Sequence, residues 1–199
     1  RLAGRGDVEG VSLPEAERKN AAARAEMLNG CDLAILCLPD AAAREAVALI
    51  DNPDARVIDA STAHRTVDGW TYGFPELDAE QAGRIAEAKR VANPGCYPTS
   101  AILGLAPAVA AGIITQDIIV DSKSGVSGGG RSLNMTNHFS EVNENVFAYA
   151  LNGHRHLPEI TQELAPLASE PLNLTFLTHL IPMTRGILSS CYATLIDRD

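Results

Sequence analysis

Cys31-Asp32-Leu33-Ala34-Ile35-Leu36-Cys37-Leu38-Pro39-Asp40 joins a near-continuous apolar run to a Pro-Asp pair, directly after the helix-stop signal Asn29-Gly30. A run this short and apolar predicts a strand of a parallel sheet, covered on both faces, and Pro39-Asp40 predicts a helix from Ala41 to Ile50. The turn residues Asp51-Asn52-Pro53-Asp54 then lead into a second strand, Arg56-Val57-Ile58-Asp59. Strand, helix and strand within about thirty residues make a βαβ unit. Upstream, Ser12 to Asn29 is rich in Ala, Glu, Arg and Lys and reads as a helix.

Downstream, Trp70, Tyr72, Phe74 and Pro75 fall in an irregular stretch before a helical segment from Leu77 to Lys89 and a short strand, Arg90-Val91-Ala92. A helix from about Pro98 to Ala111 follows, apolar at Ile102, Leu105, Ala106 and Val109, with Pro107 expected to kink it. Strands at Ile118 to Ser122, Leu174 to Ile181 and Leu188 to Leu195 predict a second, more open sheet. Helices are expected between Glu159 and Ala168 and around Asn134 to Val146. No linker separates the halves, so the expected arrangement is a tight interface with the ligand between them.

The 199 residues, 46% of them hydrophobic, can build one good core or two small ones. With no apolar run of eighteen residues and no signal-like start, the expectation is a cytoplasmic protein with no membrane partner. Cys31, Cys37, Cys96 and Cys191 lack the close pairing of zinc sites and are too sparse for a disulfide framework, which suits a reducing compartment. A net charge of −9 opposes nucleic-acid phosphate, so no nucleic-acid partner is expected. From Val91 to Asp197 the Lys and Arg residues are Lys123, Arg131, Arg155 and Arg185, each beside a Gly-rich or His/Pro-rich turn. That placement suits cations facing an anionic ligand, although incidental surface charge gives the same pattern.

Cys96, in Asn93-Pro94-Gly95-Cys96-Tyr97-Pro98-Thr99, stands between a strand and a helix, where free amides and the helix dipole favour a thiolate. Gly95 allows close substrate approach, Pro98 suits a first helical turn, and Asn93 is a candidate substrate contact at the same corner. Cys31, Cys37 and Cys191 fall inside strands and read as small buried thiols. A thiol forming an acyl intermediate needs a proton carrier, and Gly153-His154-Arg155-His156-Leu157-Pro158-Glu159-Ile160 offers two imidazoles. His156, ahead of a helix whose positive end keeps the ring neutral, is preferred as the base, with His154 its rival. His-x-His also suits a metal pair, but a third ligand of fitting spacing is missing and no metal is expected.

The loop Ser122-Lys123-Ser124-Gly125-Val126-Ser127-Gly128-Gly129-Gly130-Arg131 reads as a cradle for phosphate or a nicotinamide ribose, or equally as a flexible connection. Asp59-Ala60-Ser61-Thr62-Ala63-His64-Arg65 ends a strand at the edge where open α/β sheets bind ligands. Ser61 and Arg65 are therefore candidates to hold a substrate phosphate or carboxylate, the alternative for Arg65 being a surface arginine after a turn.

Asn-Pro-Gly-Cys-Tyr-Pro-Thr, Ser-Gly-Val-Ser-Gly-Gly-Gly-Arg, His-Arg-His-Leu-Pro-Glu-Ile and Pro-Met-Thr-Arg-Gly together resemble the N-acetyl-γ-glutamyl-phosphate reductases, relatives of aspartate-semialdehyde dehydrogenase. The resemblance implies that Cys96 attacks an acyl phosphate, that phosphate leaves to give a thioester, and that NADPH delivers hydride to yield N-acetylglutamate semialdehyde. It implies His156 as acid/base, Arg65, Arg155, His154, Asn93 and Ser61 at the substrate, and Leu38, Pro39, Ser124, Gly125, Ser127, Gly128 and Gly129 at NADP. The implied fold is α/β. A truncated Rossmann-like dinucleotide-binding domain over residues 1–92, whose first strand and Gly-rich loop would precede Arg1, adjoins an α+β catalytic/substrate and dimerisation domain over residues 93–199, whose C-terminal part would follow Asp199. The part before Cys96 resembles the family's shorter form and the part after it the longer form. Exposed sheet edges in the second part suggest a homo-oligomer. The alternatives are a cysteine acyltransferase or hydrolase, and a catalytically inactive fragment acting as an assembly module.

Overall fold

The computed structural model describes residues 5–130, 132 and 134–196, so Arg131 lies outside the described residues. Two four-stranded sheets organise the chain. The first contains β1 (Leu33–Leu36), β2 (Arg56–Asp59), β3 (Thr71–Tyr72) and β4 (Arg90–Ala92) in the order β1-β2-β4-β3, every neighbouring pair parallel. Helix α1 (Ala21–Gly30) precedes β1, and α2 (Asp40–Ala48) makes the crossover to β2. Leu28, Ala34, Leu36, Ala46 and Val57 close a small core between helices and sheet. The predicted βαβ unit is therefore present, and β2 and β4 occupy the predicted residues.

Two expectations for this half are corrected. The helix expected from Ser12 starts only at Ala21, because the Asn20 side chain caps the amides of Ala22 and Ala23, while Pro14 opens a separate 3₁₀ turn at Glu15–Glu17. The β1 strand is shorter than the apolar run and is covered on one face only: Leu33 and Ile35 are 46% and 49% exposed. β1 is an edge strand, and its second face stays open in this structure.

Helix α3 (Gln81–Glu87) leads to β4, and α4 (Cys96–Ala110) starts four residues after that strand. The second sheet contains β5 (Ile114–Ser124), β6 (Phe147–Tyr149), β7 (Asn173–Leu180) and β8 (Ile187–Leu195), ordered β6-β7-β5-β8. β5 runs parallel to β7, and the two outer pairings are antiparallel. α5 (Phe139–Val142) is a single turn, and α6 (Leu157–Leu164) follows the His-rich segment.

Alternation along β5 sends Ile118, Val120, Ser122 and Ser124 to one buried face, where Ile118 and Val120 join a core with residues of α4 and α6. Ile102, Ile118, Ile160 and Leu164 are wholly buried there, each contributing about 1.5–3 kcal/mol of apolar burial. This core fixes the first turn of α4 and the first turn of α6 next to one another. No described helix is long and apolar enough to cross a membrane.

Candidate active site

Gly95, in extended geometry, caps α4, and Cys96 is the first helical residue. The thiol is exposed, and among the described residues no hydrogen bond engages it. It opens into a cleft of about 330 Å³ shared with Tyr97, Ser124, Gly128, Gly129, Asn137, Tyr149, His154, Arg155 and His156. The strand-to-helix corner, the Gly-rich loop after β5 and the His-rich turn before α6 thus meet at one place, although they are far apart in sequence.

A buried polar lock holds the corner from behind. Arg65 Nε donates to the carbonyl of Asn93 (2.9 Å) and Nη2 to that of Ala60 (3.1 Å). Arg65 Nη1 reaches Glu159 Oε2 at 3.3 Å and His156 Nε2 at 3.2 Å. Glu159 Oε1 accepts from the Gly95 amide (2.6 Å) and the Tyr72 hydroxyl (2.7 Å). Glu159 is 1% exposed and Arg65 9%. Burial, and then the neighbouring carboxylate, push the Tyr72 phenol above its ordinary range.

Arg65 is therefore neither a surface arginine nor an open anion site, because its guanidinium is committed to this lock. Gly95 is required for a steric reason: a Cβ there would lie 2.7 Å from Arg65 Nη1 and 2.9 Å from both Glu159 Oε2 and His156 Nε2. Asn93 contributes its carbonyl to the lock, while its side chain lies in a separate shallow depression with Phe74, Glu76 and Leu103.

Ser61 is likewise engaged. Its hydroxyl donates to Asp59 Oδ2 (2.7 Å) and accepts from the Ala63 amide (3.1 Å). His64 Nδ1 lies 2.6 Å from the same carboxylate, and the His64 ring stacks on Trp70 at 4.1 Å. Burial pushes the Asp59 carboxyl up, but hydrogen bonds from Ser61 and His64 outweigh it and leave the group below its usual range. Ser61 and His64 shape the loop after β2 from its interior, and the expectation of Ser61 as a substrate ligand is not supported by this geometry.

The two histidines differ. His156 is buried, accepts a guanidinium N–H at Nε2 and so carries its proton on Nδ1, which has no partner. Burial, followed by the charges of His154, Arg65 and Arg155, lowers its pKa to about 3. His154 accepts the His156 amide at Nδ1 (3.1 Å), and burial and then Arg155 lower its pKa as well. Both rings are neutral at pH 7, and burial with the neighbouring positive charges is the cause. The Tyr97 ring meets both edge-on, at 5.5 and 5.9 Å, and its hydroxyl pairs with that of Tyr149 at 2.7 Å. Burial raises both phenols above their ordinary values.

A stability prediction follows from His156. Its unfolded-state pKa of about 6.5 lies above the folded value, so between these limits the unfolded chain binds more protons and stability falls as pH drops. Denaturant titrations should show stability declining from pH 6.5 towards pH 3, with this group supplying at most about 1.4 kcal/mol per pH unit. His156→Gln should flatten the slope, and an unchanged slope would contradict the assignment.

The Gly-rich loop is not an open amide cradle. The amides of Gly125, Val126 and Ser127 donate to the carbonyls of Gly186, Met183 and Thr184, knitting the loop to the Pro-Met-Thr-Arg-Gly turn. A Cβ at Gly125 would fall 2.7 Å from the Met183 carbonyl oxygen. Ser124, Gly128 and Gly129 line the cleft, but Ser124 is itself buried and its hydroxyl donates to the Gly125 carbonyl. Leu38 and Pro39 are exposed at the carboxyl end of β1 and do not line the Cys96 cleft.

Cys31 is half-buried at the end of α1, and Cys37 and Cys191 are exposed, so the reading of these three as buried thiols is corrected. Among the described residues, no group of three or more His, Cys, Asp or Glu side chains could hold a metal ion. Glu159, Tyr97, Tyr149 and Asn137 belong to the site without having been singled out in the sequence.

Comparison with known proteins gives a consistent picture. A family model described as semialdehyde dehydrogenase, dimerisation domain, matches residues 96–198, and one described as semialdehyde dehydrogenase, NAD binding domain, matches residues 7–85. The chain is 52% identical over 178 residues to N-acetyl-gamma-glutamyl-phosphate reductase 2 of Pseudomonas putida, covering 86% of this chain and 56% of that one. It is 51% identical over 178 residues to N-acetyl-gamma-glutamyl-phosphate reductase of a Chelativorans species, with the same coverage. The chain thus spans just over half the length of these curated relatives. Aspartate semialdehyde dehydrogenase II of Vibrio cholerae, solved in complex with ASA, superposes with a TM-score of 0.65 at 14% identity, over 84% of this chain and 56% of that one. The Candida albicans aspartate semialdehyde dehydrogenase with NADP gives 0.62 at 12% identity, over 85% and 52%. At such identities these structures speak for the fold.

Proposed function

Because the chain belongs to the semialdehyde dehydrogenase family, we propose that it carries the catalytic corner of an N-acetyl-γ-glutamyl-phosphate reductase of arginine biosynthesis. The observation that carries this reading is the exposed Cys96 thiol at the first residue of a helix, in one cleft with two neutral imidazoles and Arg155. Cys96 as thiolate attacks the γ-acyl carbon, the C–O bond to phosphate breaks, and inorganic phosphate leaves a thioester on the sulfur. NADPH, when bound, supplies the hydride that reduces the thioester to the aldehyde and releases the thiolate.

The chain's own residues prepare that exchange. Arg155, exposed at the cleft, offers a guanidinium to phosphate or to the substrate carboxylate. His156, on the cleft wall with its Nδ1–H buried and unpartnered, is the proton carrier in this reading, and His154 stands beside it at a ring separation of 4.7 Å. The dinucleotide fits the residues available to it: Leu38 and Pro39 are open at the carboxyl end of the parallel sheet, and Gly128 and Gly129 form a bare backbone edge of the cleft.

Self-association through the outer face of the second sheet is part of the same proposal. Ile119 and Tyr192, cross-strand partners, and Leu188 are 43%, 56% and 61% exposed there. Incubation with N-acetylglutamate semialdehyde and NADP⁺ should give NADPH formation that depends on added phosphate. Turnover without phosphate, or thioester hydrolysis without nicotinamide, would favour an acyltransferase or hydrolase instead.

A further inference from the structure

The cleft that Cys96 lines also contains a carboxamide that the reaction as described does not use. Asn137 closes the 3₁₀ turn Met135–Asn137, its amide donating to Asn134 Oδ1 at 2.9 Å, which pins the backbone. Among the described residues no hydrogen bond holds its side chain, although the residue is half-buried and lines the Cys96 cleft. Asn134 differs, since its own Oδ1 already accepts from Asn137 N and from the Thr136 hydroxyl at 2.6 Å. The free carboxamide rests against Gly129. A Cβ on Gly129 would come within 2.9 Å of Asn137 Oδ1 and 3.0 Å of its Cγ. Gly129 does not occupy the left-handed region, so its lack of a side chain serves clearance and not backbone geometry.

Both polar atoms of this carboxamide are free of protein partners among the described residues, and a ligand that enters the cleft and displaces solvent from them must supply a donor and an acceptor of its own, because a polar group stripped of water and left unpaired costs free energy. The neutral group that matches a carboxamide with one donor and one acceptor of its own is another amide. We propose that Asn137, seated in the notch left by Gly129, is a specificity-determining residue that reads an amide on the ligand in the Cys96 cleft. Two ligands implied by the proposed reaction carry one: the N-acyl cap of the substrate and the carboxamide of nicotinamide. The inference rests on that reaction only for the names of these ligands, since the notch and the free carboxamide stand without it.

The test uses binding as well as turnover. Titration calorimetry of the chain with N-acetyl-L-glutamate, with L-glutamate and with NADP⁺ is repeated on Asn137→Ala and Gly129→Ala. Asn137→Ala is expected to weaken N-acetyl-L-glutamate roughly tenfold or more and to leave L-glutamate unchanged. Gly129→Ala should reproduce that loss by displacing the carboxamide, and the double variant should lose no more than either single one. If instead NADP⁺ weakens and N-acetyl-L-glutamate does not, the amide that is read belongs to nicotinamide and the site stands. If neither ligand is affected, or if the two single losses simply add, the inference fails. Wild-type chain that binds N-acetyl-L-glutamate through Asn137 but never forms NADPH would overturn the proposed reaction and leave this site in place.

Discussion

Cys96→Ser is expected to abolish phosphate-dependent NADPH formation, by roughly a thousandfold or more, while leaving stability and N-acetyl-L-glutamate binding unchanged. Two features of the corner make these effects separable. The thiol is exposed and makes no hydrogen bond among the described residues, so exchanging sulfur for oxygen removes no internal interaction and stability should move by less than about 0.5 kcal/mol. Chemically the exchange is severe, because a serine hydroxyl at a helix start, with no base hydrogen-bonded to it, stays protonated at neutral pH and is a poor nucleophile. Cys37→Ser and Cys191→Ser provide the controls: both residues are exposed, and neither lines the cleft. Rapid-quench measurement of phosphate release from the acyl phosphate isolates acyl transfer from hydride transfer. A Cys96→Ser chain that still shows a phosphate burst would rule out the thioester route.

The sequence allowed some parts of this site to be read and hid others, for physical reasons. β2 and β4 could be placed to the residue because each is short, β-branched and bounded by turn or helix signals. β1 was overestimated at both ends and on one face, since an apolar run does not state which of its side chains a neighbouring layer will reach. Cys96, His154 and His156 were legible because the chemistry and the local corner coincide in a few consecutive residues. Arg65 and Ser61 were assigned to the ligand because they end a strand at a sheet edge. Their partners, Glu159 and His156 for one and Asp59 for the other, decide otherwise. Glu159 illustrates the limit best: nothing in its own segment shows its partners, and only folding brings Tyr72 and Gly95 to its carboxylate from 87 and 64 positions away. Asn137 was invisible for the same reason, because its significance lies in a clearance at Gly129.

Arg65→Met and Glu159→Gln should each destabilise the protein by about 3–5 kcal/mol, the cost typical of breaking a buried ion pair by removing one partner. Glu159→Gln keeps an oxygen for Gly95 and Tyr72 but turns an N–H towards Arg65, leaving a buried guanidinium without its counterion. Arg65→Met leaves the carboxylate buried, frees the carbonyls of Asn93 and Ala60, and uncouples the corner from the loop after β2. The double replacement should cost less than the sum, because each single change already strands the other's charge. His156 separates this lock from mere packing. Burial is the main cause of its low pKa, but Arg65 also depresses it, so the imidazole of Arg65→Met should titrate at a higher pH and still below the ordinary range. With the Nε2 acceptor released, the ring can also carry its proton on either nitrogen. Imidazole NMR across pH 3–7 on a variant that remains folded in osmolyte would register both changes. An unaltered His156 titration alongside lost stability would make Arg65 a packing residue and would remove it from control of the catalytic corner.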